Sequence, residues 1–178
     1  MRAGGAEFVN ALIEPRSADE SIFTTLVRAR ALIEGRAFES AARIYRSLLE
    51  AELAAPLRGQ ILTNLGAALC MTARGKRGPA ARAQLDQARD LLVEALPCRP
   101  RDQAPAAWAI TRANLALVHL ARYEANGDSG EMLSAHLALD GVDQVLRHAG
   151  ETTLRDWVSA IRDELLELRD RRSKPRYL

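Results

Sequence analysis

Aromatic residues and long hydrophobic runs are both scarce in this sequence of 178 residues. Only 4% of the residues are aromatic, whereas alanine and leucine are abundant, and this composition favours helices over a β-sandwich. No window offers the roughly 18 uncharged apolar residues of a membrane-spanning helix. Residues 1–7 lack the apolar core of a signal peptide. We therefore expect an all-α protein without a membrane span, located in the cytoplasm.

Cysteine and histidine are also rare. The two cysteines, Cys70 and Cys98, are too few for a disulfide framework or a zinc site, so we expect buried free thiols and no metal. The three histidines lack the His-Glu-x-x-His spacing, and no nucleophile stands beside a plausible base. The sequence therefore predicts no catalytic residue, no cofactor and no enzyme activity. We expect His119 to pack in the apolar stripe of its helix.

Neither sign of charge is in large excess. The net charge of +2 excludes a polyelectrolyte binder that uses the whole chain. Two local basic segments remain, a loop and a C-terminal run, each interpreted either as solvated chain or as a contact for phosphate or an acidic partner. The loop contributes Arg74, Lys76, Arg77 and Arg82, and the run contributes Arg169, Arg171, Arg172, Lys174 and Arg176.

The most informative stretch is residues 62–69, Leu-Thr-Asn-Leu-Gly-Ala-Ala-Leu. Its three leucines form one stripe at helical spacing, and Gly66 lies inside that stripe. A glycine in the middle of a helix costs about 1 kcal/mol against alanine, so a packing reason is to be sought. We predict that Gly66 allows a second helix to lie very close.

Breaker residues divide the chain into successive helices. Pro15, Gly35, Pro56, Pro97 and Gly150 mark boundaries between apolar-periodic segments. We predict a short N-terminal element over 1–16, a helical domain over 17–172 and a basic tail over 173–178. The domain consists of pairs over 17–54, 56–96 and 105–148, with a capping helix over 152–171. Within the pairs the second helices are predicted over 37–54, 80–96 and 131–148, and Asp128 with Glu131 is expected to cap the last of these.

The second and third pairs match each other at an offset of 50 residues. Asn64 and Leu65 meet Asn114 and Leu115, and small or apolar residues recur on the second helices. The matched positions there are Ala88 with Ala138, Leu92 with Val142, and Ala95 with Val145.

This pattern resembles the tetratricopeptide repeat (TPR) family. Leu62, Leu65, Gly66 and Leu69, followed by Ala88, Leu92 and Pro100, are similar to that family's motif. Trp108 upstream of Asn114 and Leu115 looks like a bacterial subtype. The units of about 50 residues depart from the 34 residues of the family. The resemblance implies a right-handed α-α superhelix of about three helix pairs plus a capping helix.

The resemblance also implies a concave groove, lined by the first helix of each pair, that binds a peptide or a helix. Asn64 and Asn114 match an asparagine that bonds a bound peptide's backbone in some relatives. A second interpretation, in which these asparagines tie neighbouring helices together, stays open. The other residues expected in the groove are Thr63, Ala67, Cys70, Met71, Ile110, Ala113 and Leu117, with Arg30 at the rim.

We therefore predict a non-catalytic protein-interaction adaptor or assembly factor whose partner is another protein. The expected surface is apolar and uncharged, which favours an apolar helix over an acidic tail. The alternatives are a nucleic-acid-associated regulator that uses the arginine-rich loop and tail, and a self-assembling structural unit. The low net charge makes the nucleic-acid interpretation the weaker one.

Overall fold

Helices and short connections account for the part of the chain that the structure, a computed structural model, describes, which is residues 20–173. Within this range there is no strand, so the all-α prediction is confirmed. The helices are α1 (Glu20–Glu34), α2 (Phe38–Leu48), α3 (Ala55–Ala73), α4 (Pro79–Ala95), α5 (Pro105–Asn126), α6 (Ser129–Ala138), α7 (Val142–His148) and α8 (Thr152–Ser173), with a 3₁₀ turn over Leu96–Cys98. The predicted N-terminal element over 1–16 and residues 174–178 of the basic tail lie outside the described residues.

Successive helices pack as neighbours in chain order. Helix α1 packs on α2, α2 on α3, α3 on α4, α4 on α5, and α5 on α6. The first helices of the second and third pairs also contact each other, since α3 packs against α5. Helix α8 closes the described fold against α5, α6 and α7, and it buries Trp157, Val158, Ile161 and Leu165 as its apolar stripe predicts.

Helix α3 is buried on all sides. Fourteen of its 19 residues are buried, including the whole run from Gly59 to Cys70. Helices α2, α4 and α5 surround it, so it has no polar face, as is typical of a helix in the middle of a core. This position decides what the residues of α3 can do.

Gly66 lies at the closest approach of α3 and α4. A Cβ atom built there would lie 2.8 Å from the Cγ atom of Leu92 and 3.0 Å from the backbone oxygen of Ala88. Both distances are too short for a side chain to be added without movement of α4. The predicted close helix crossing is therefore confirmed, with Ala88 and Leu92 as the opposing surface.

Two predicted helix lengths are wrong. The helix over 37–54 ends at Leu48, and a turn, a bend and an irregular stretch occupy residues 49–54 before α3 begins. The helix over 131–148 is two helices, because Gly141 has a φ angle of +70° and interrupts the helical backbone between α6 and α7. An Asp-Gly dipeptide is a common turn signal, and Asp140 with Gly141 forms one inside an otherwise helical pattern.

Of the two residues predicted to cap the start of α6, Asp128 does so and Glu131 does not. The side chain of Asp128 accepts a hydrogen bond of 2.9 Å from the backbone N–H of Gly130, which satisfies a free donor of the first turn. Glu131 does not cap the helix, because its buried carboxylate pairs with His119 and Arg122 on α5.

No helix within residues 20–173 combines the length and the apolar character needed to cross a membrane.

Candidate functional site

The residues predicted to line a groove are almost all interior. Thr63 and Leu117 are completely buried, Asn114 is 1% exposed, and Asn64, Ala67 and Ile110 are below a tenth exposed. The groove prediction for these residues is therefore corrected, because α3 and α5 face each other directly instead of flanking an open surface. Cys70 and Ala113 are buried as well.

Two predicted groove residues do reach the surface. Met71 is half-buried and lines a shallow cavity together with the first turn of α2. Arg30 is exposed, and its Nε atom pairs at 3.0 Å with Glu34 one turn later on the same helix. An exposed pair of this kind contributes little to stability, so Arg30 remains accessible to a partner.

Asn64 ties two helices of the fold together. Its side chain hydrogen-bonds the hydroxyl of Tyr45 on α2, and burial of Tyr45 raises the pKa of that hydroxyl to about 12. The second interpretation of this asparagine therefore fits its position. Asn114 lacks the matching bond, since its Oδ1 atom is buried without a hydrogen-bond partner, and α4, which packs on α5 as α2 packs on α3, contains no tyrosine.

The basic loop after α3 is partly neutralised. Arg74 bonds Glu124 at 3.2 Å and also bonds Glu164 on α8. These carboxylates raise the pKa of Arg74 against the opposing effect of its burial. The predicted role of Arg74 in a phosphate contact is corrected accordingly, because its guanidinium group holds three helices together. Glu164 is correspondingly half-buried.

The two other basic residues of the loop are more accessible. The Nζ atom of Lys76 lies 3.8 Å from the carboxylate of Glu39, and both side chains are more than half exposed. Arg77 is exposed and lines a small surface cavity beside Arg74 and Glu124. The loop therefore offers two exposed cations, Lys76 paired with Glu39 and Arg77 beside Glu124, which is a weak arrangement for binding phosphate.

A partly buried polar network between α4, α5 and α6 was not predicted. The Nδ1 atom of His119 lies 2.7 Å from the carboxylate of Glu131. Arg122 pairs with the same carboxylate at 2.6 Å and also bonds Asp86. His119 is largely buried, with 14% of its side chain exposed, as expected for a residue of the apolar stripe, and it also makes a polar contact with α6 that the sequence did not predict. The spacing of His119 and Arg122, three residues apart on one helix face, was the available signal.

A second buried polar cluster centres on Arg99. The sequence places this residue in a polar linker, yet its side chain is only 1% exposed. One terminal nitrogen, Nη1, donates hydrogen bonds to the hydroxyls of Thr63 at 3.3 Å and Thr111 at 3.4 Å. The other two guanidinium nitrogens have no partner. Nothing in the linker composition distinguishes Arg99 from its exposed neighbour Arg101.

Large apolar side chains are exposed on four of the described helices. On α6 the exposed fraction is 61% for Leu133 and 58% for Leu137, and the two lie one turn apart. On α1 Phe23 and Val27 show the same spacing and about half of each side chain is exposed. Isolated exposed residues, Val93 and Leu166, complete the set.

Cysteine and metal chemistry can be assigned for the described range. Cys70 and Cys98 are free thiols, Cys70 buried and Cys98 half-buried, so the prediction of buried thiols is confirmed for Cys70 alone. Residues 20–173 contain no group of three or more histidine, cysteine or acidic side chains that could hold a metal ion.

We expect the two thiols to differ strongly in reactivity. Burial raises the pKa of Cys70 to about 12, so at pH 8 almost none of it is the reactive thiolate. Alkylation followed by peptide mass spectrometry should label Cys98 in the native protein and Cys70 only after denaturation. A Cys70→Ser variant identifies the slow site, and equal labelling rates at both positions in native protein would contradict the burial of Cys70.

Comparisons with protein-family models, with curated proteins and with solved structures found no match to this chain. What the protein binds is therefore inferred from its own side chains.

Proposed function

We propose that this protein is a non-catalytic adaptor or assembly factor, built as a TPR-like superhelix, that binds an apolar helix of a partner protein. The observation that supports this proposal is the pair of exposed leucines on α6, Leu133 and Leu137. Leucines at positions i and i+4 present one continuous apolar strip to solvent. Such strips are where an amphipathic helix lays its own apolar face.

The internal repeat argues that these leucines have a use outside the core. The buried positions Ala88 and Leu92 of α4 recur as Ala138 and Val142. At the same offset, Leu133 and Leu137 correspond to the exposed residues Ala83 and Gln87. Packing between the helices of the repeat therefore explains the small residues Ala88 and Ala138 in the core. It does not require leucines at the exposed positions 133 and 137.

This surface replaces the predicted groove as the binding site. The side chains of Asn64 and Asn114 are enclosed between helices, so a partner peptide has no path to them. The strip on α6 is open, and burying a whole leucine side chain stabilises a complex by about 1.5–3 kcal/mol. With somewhat more than half of each side chain available, the two leucines together contribute about 2–3 kcal/mol to binding.

We expect the double substitution Leu133→Glu with Leu137→Glu to weaken partner binding by about 30-fold or more, because two carboxylates replace the apolar strip. The matched control is Ala83→Glu with Gln87→Glu, which places the same charges at the corresponding positions of α4. Immobilised wild-type protein and both variants are used to capture partners from native cell extract. Affinities of the captured proteins are then measured by titration at 50 and 200 mM salt.

The proposal predicts that proteins retained by wild type and by the control variant are lost from the leucine variant. Binding through apolar contacts changes little between the two salt concentrations, whereas phosphate binding falls steeply. Retention of the same proteins by the leucine variant would overturn the assignment of this surface. Nucleic acid in the captured material, released at 200 mM salt, would instead support the alternative that uses Lys76 and Arg77.

Self-association is the second candidate function, since the same leucine pair fits a second copy of the chain. Light scattering across a range of protein concentrations measures it directly. A molar mass that rises with concentration in wild type, and stays at one chain in the leucine variant, would identify the second copy as the occupant of the strip. A constant mass of one chain in both would leave a different protein as the partner.

A further inference from the structure

Arg99 carries a buried charge that no carboxylate of residues 20–173 balances. Its side chain is 1% exposed, and its stem crosses α3 so closely that a Cβ atom at Gly59 would lie 2.8 Å from its Cγ atom. None of the ion pairs among residues 20–173 includes it. A buried guanidinium group without a counter-charge is costly, so a fold that keeps one invites an explanation.

One end of the guanidinium group is held in a fixed position. The Nη1 atom donates to the hydroxyls of Thr63 and Thr111, which lie 3.0 Å from each other across the contact of α3 and α5. Each hydroxyl also bonds a backbone oxygen one turn earlier, Gly59 for Thr63 and Ala107 for Thr111. These bonds orient the hydroxyl lone pairs toward Nη1, so two helices position a single arginine.

The opposite edge of the same group is unused. Both Nε and Nη2 are buried and have no hydrogen-bond partner in the part of the chain that the structure describes. Their N–H bonds point the same way along one edge of the planar group, which is the fork that pairs with two oxygens of a carboxylate or a phosphate. An arginine that is anchored at Nη1 and free at this fork has the geometry of an anion receptor.

Two other arginines lie in the linker and on α5. The guanidinium groups of Arg101, in the linker, and Arg112, on α5, each lie 5.4 Å from the ring centre of Trp108. Trp108 itself lies near the start of α5. Neither takes part in an ion pair among the described residues, although Asp140 acts on Arg112 from a distance. Burial lowers the pKa of Arg99 to about 10, and a bound anion would restore it.

The linker between α4 and α5 follows Arg99 directly in the chain. Residues 101–103 of this linker are exposed and belong to no regular helix. Connections of this kind open more readily than the helices they join. Movement of these residues is the opening that an anion site at Arg99 requires.

We propose that the Nε and Nη2 atoms of Arg99 bind one oxyanion, a phosphate or a carboxylate group, beneath the linker between α4 and α5. Two N–H groups donate to two oxygens of the anion, while the threonine hydroxyls hold the guanidinium plane in place. The anion supplies the negative charge that the interior lacks. This site is separate from the leucine strip on α6, so either can exist without the other.

Thermal unfolding with and without anions tests this site in the purified chain. Wild type, Arg99→Met and the control Arg89→Met are compared in sodium phosphate, sodium acetate and sodium chloride at equal ionic strength. Among residues 20–173, Arg89 pairs only with its exposed neighbour Asp90. Phosphate stabilises most proteins by exclusion from their surfaces, so the informative quantity is the Tm increase of wild type beyond that of Arg99→Met.

At an anion concentration of 100 times Kd, we expect the Tm of wild type and of Arg89→Met to rise by about 5 °C more than the Tm of Arg99→Met. This additional rise should saturate with anion concentration. A larger gain in phosphate than in acetate identifies a phosphate ligand, and the reverse identifies a carboxylate. In chloride, Arg99→Met should melt at or above the wild-type temperature, because methionine removes an unbalanced buried charge. Equal anion gains in wild type and Arg99→Met would overturn the proposal.

A second measurement requires only folded wild type and a mild variant. In ¹⁵N-labelled protein, the Nε–H signal of Arg99 is identified as the arginine signal that a Thr111→Val substitution displaces. Titration with phosphate and with acetate should move this signal along a saturating curve with at least one of them. An unchanged signal in both titrations would refute the anion site even if Arg99→Met does not fold.

Discussion

Gly66→Leu should lower the free energy of unfolding by about 3 kcal/mol or more, measured by urea denaturation followed by circular dichroism. The first carbon of the new side chain already falls 2.8 Å from the Cγ atom of Leu92 and 3.0 Å from the backbone oxygen of Ala88. The three further carbons of leucine have no space in a core that is closely packed. Helix α4 would have to move away from α3, and the contacts along that interface would be lost.

A graded series separates overpacking from helix propensity. Gly66→Ala adds one carbon and gains about 1 kcal/mol of helix propensity, so it should cost much less than Gly66→Leu. The control Ala83→Leu adds the same bulk on the exposed face of α4 and should change stability by less than about 0.5 kcal/mol. A free energy of unfolding for Gly66→Leu equal to that of wild type would contradict the close crossing.

Arg74→Met should destabilise the protein by about 2 kcal/mol. The side chain of Arg74 is 17% exposed, and those of Glu124 and Glu164 are 28% and 26% exposed. Its removal leaves two carboxylates unpaired at the junction of α3, α5 and α8. Breaking a buried pair costs about 3–5 kcal/mol and an exposed pair about 0–1 kcal/mol, so this partly exposed group falls between the two.

The same substitution in a neutral background provides the test of cause. With Glu124→Gln and Glu164→Gln already present, Arg74→Met should cost less than about 1 kcal/mol, because no carboxylate is left uncompensated. Arg30→Met is the matched control at an exposed pair within one helix, with an expected effect below about 0.5 kcal/mol. An effect of Arg74→Met as small as that of Arg30→Met would show that the three-helix clamp contributes nothing.

Several helices could be predicted because their signals are local. Pro56, Pro79 and Pro105 lie in the first turns of α3, α4 and α5, where a missing N–H costs nothing. Gly127 ends α5 with a φ angle of +73°, a conformation that glycine adopts without strain. The break between α6 and α7 was missed because the apolar periodicity continues across Gly141 and outweighs the turn signal of Asp140.

The candidate site was predicted less well because burial depends on how many helices surround a given one. From the sequence, Thr63 and Asn64 belong to a helix with one apolar stripe. The faces of that helix outside the stripe are therefore expected to be exposed to solvent. In the fold, α2, α4 and α5 enclose α3, and the same residues become interior contacts. Leu133 and Leu137 are the opposite case. A pair of leucines in a helix is ordinarily assigned to the core, but these two side chains are exposed in the fold.

The sequence by itself determined the all-α class, most helix boundaries and the close crossing at Gly66. These follow from the conformational preferences of single residues and from periodicity within one helix. Only the tertiary structure decided that Arg74 clamps three helices, that Arg99 is buried without a counter-charge and that the leucines of α6 face solvent. Each of these depends on which side chains from distant parts of the chain meet, and no local preference encodes that.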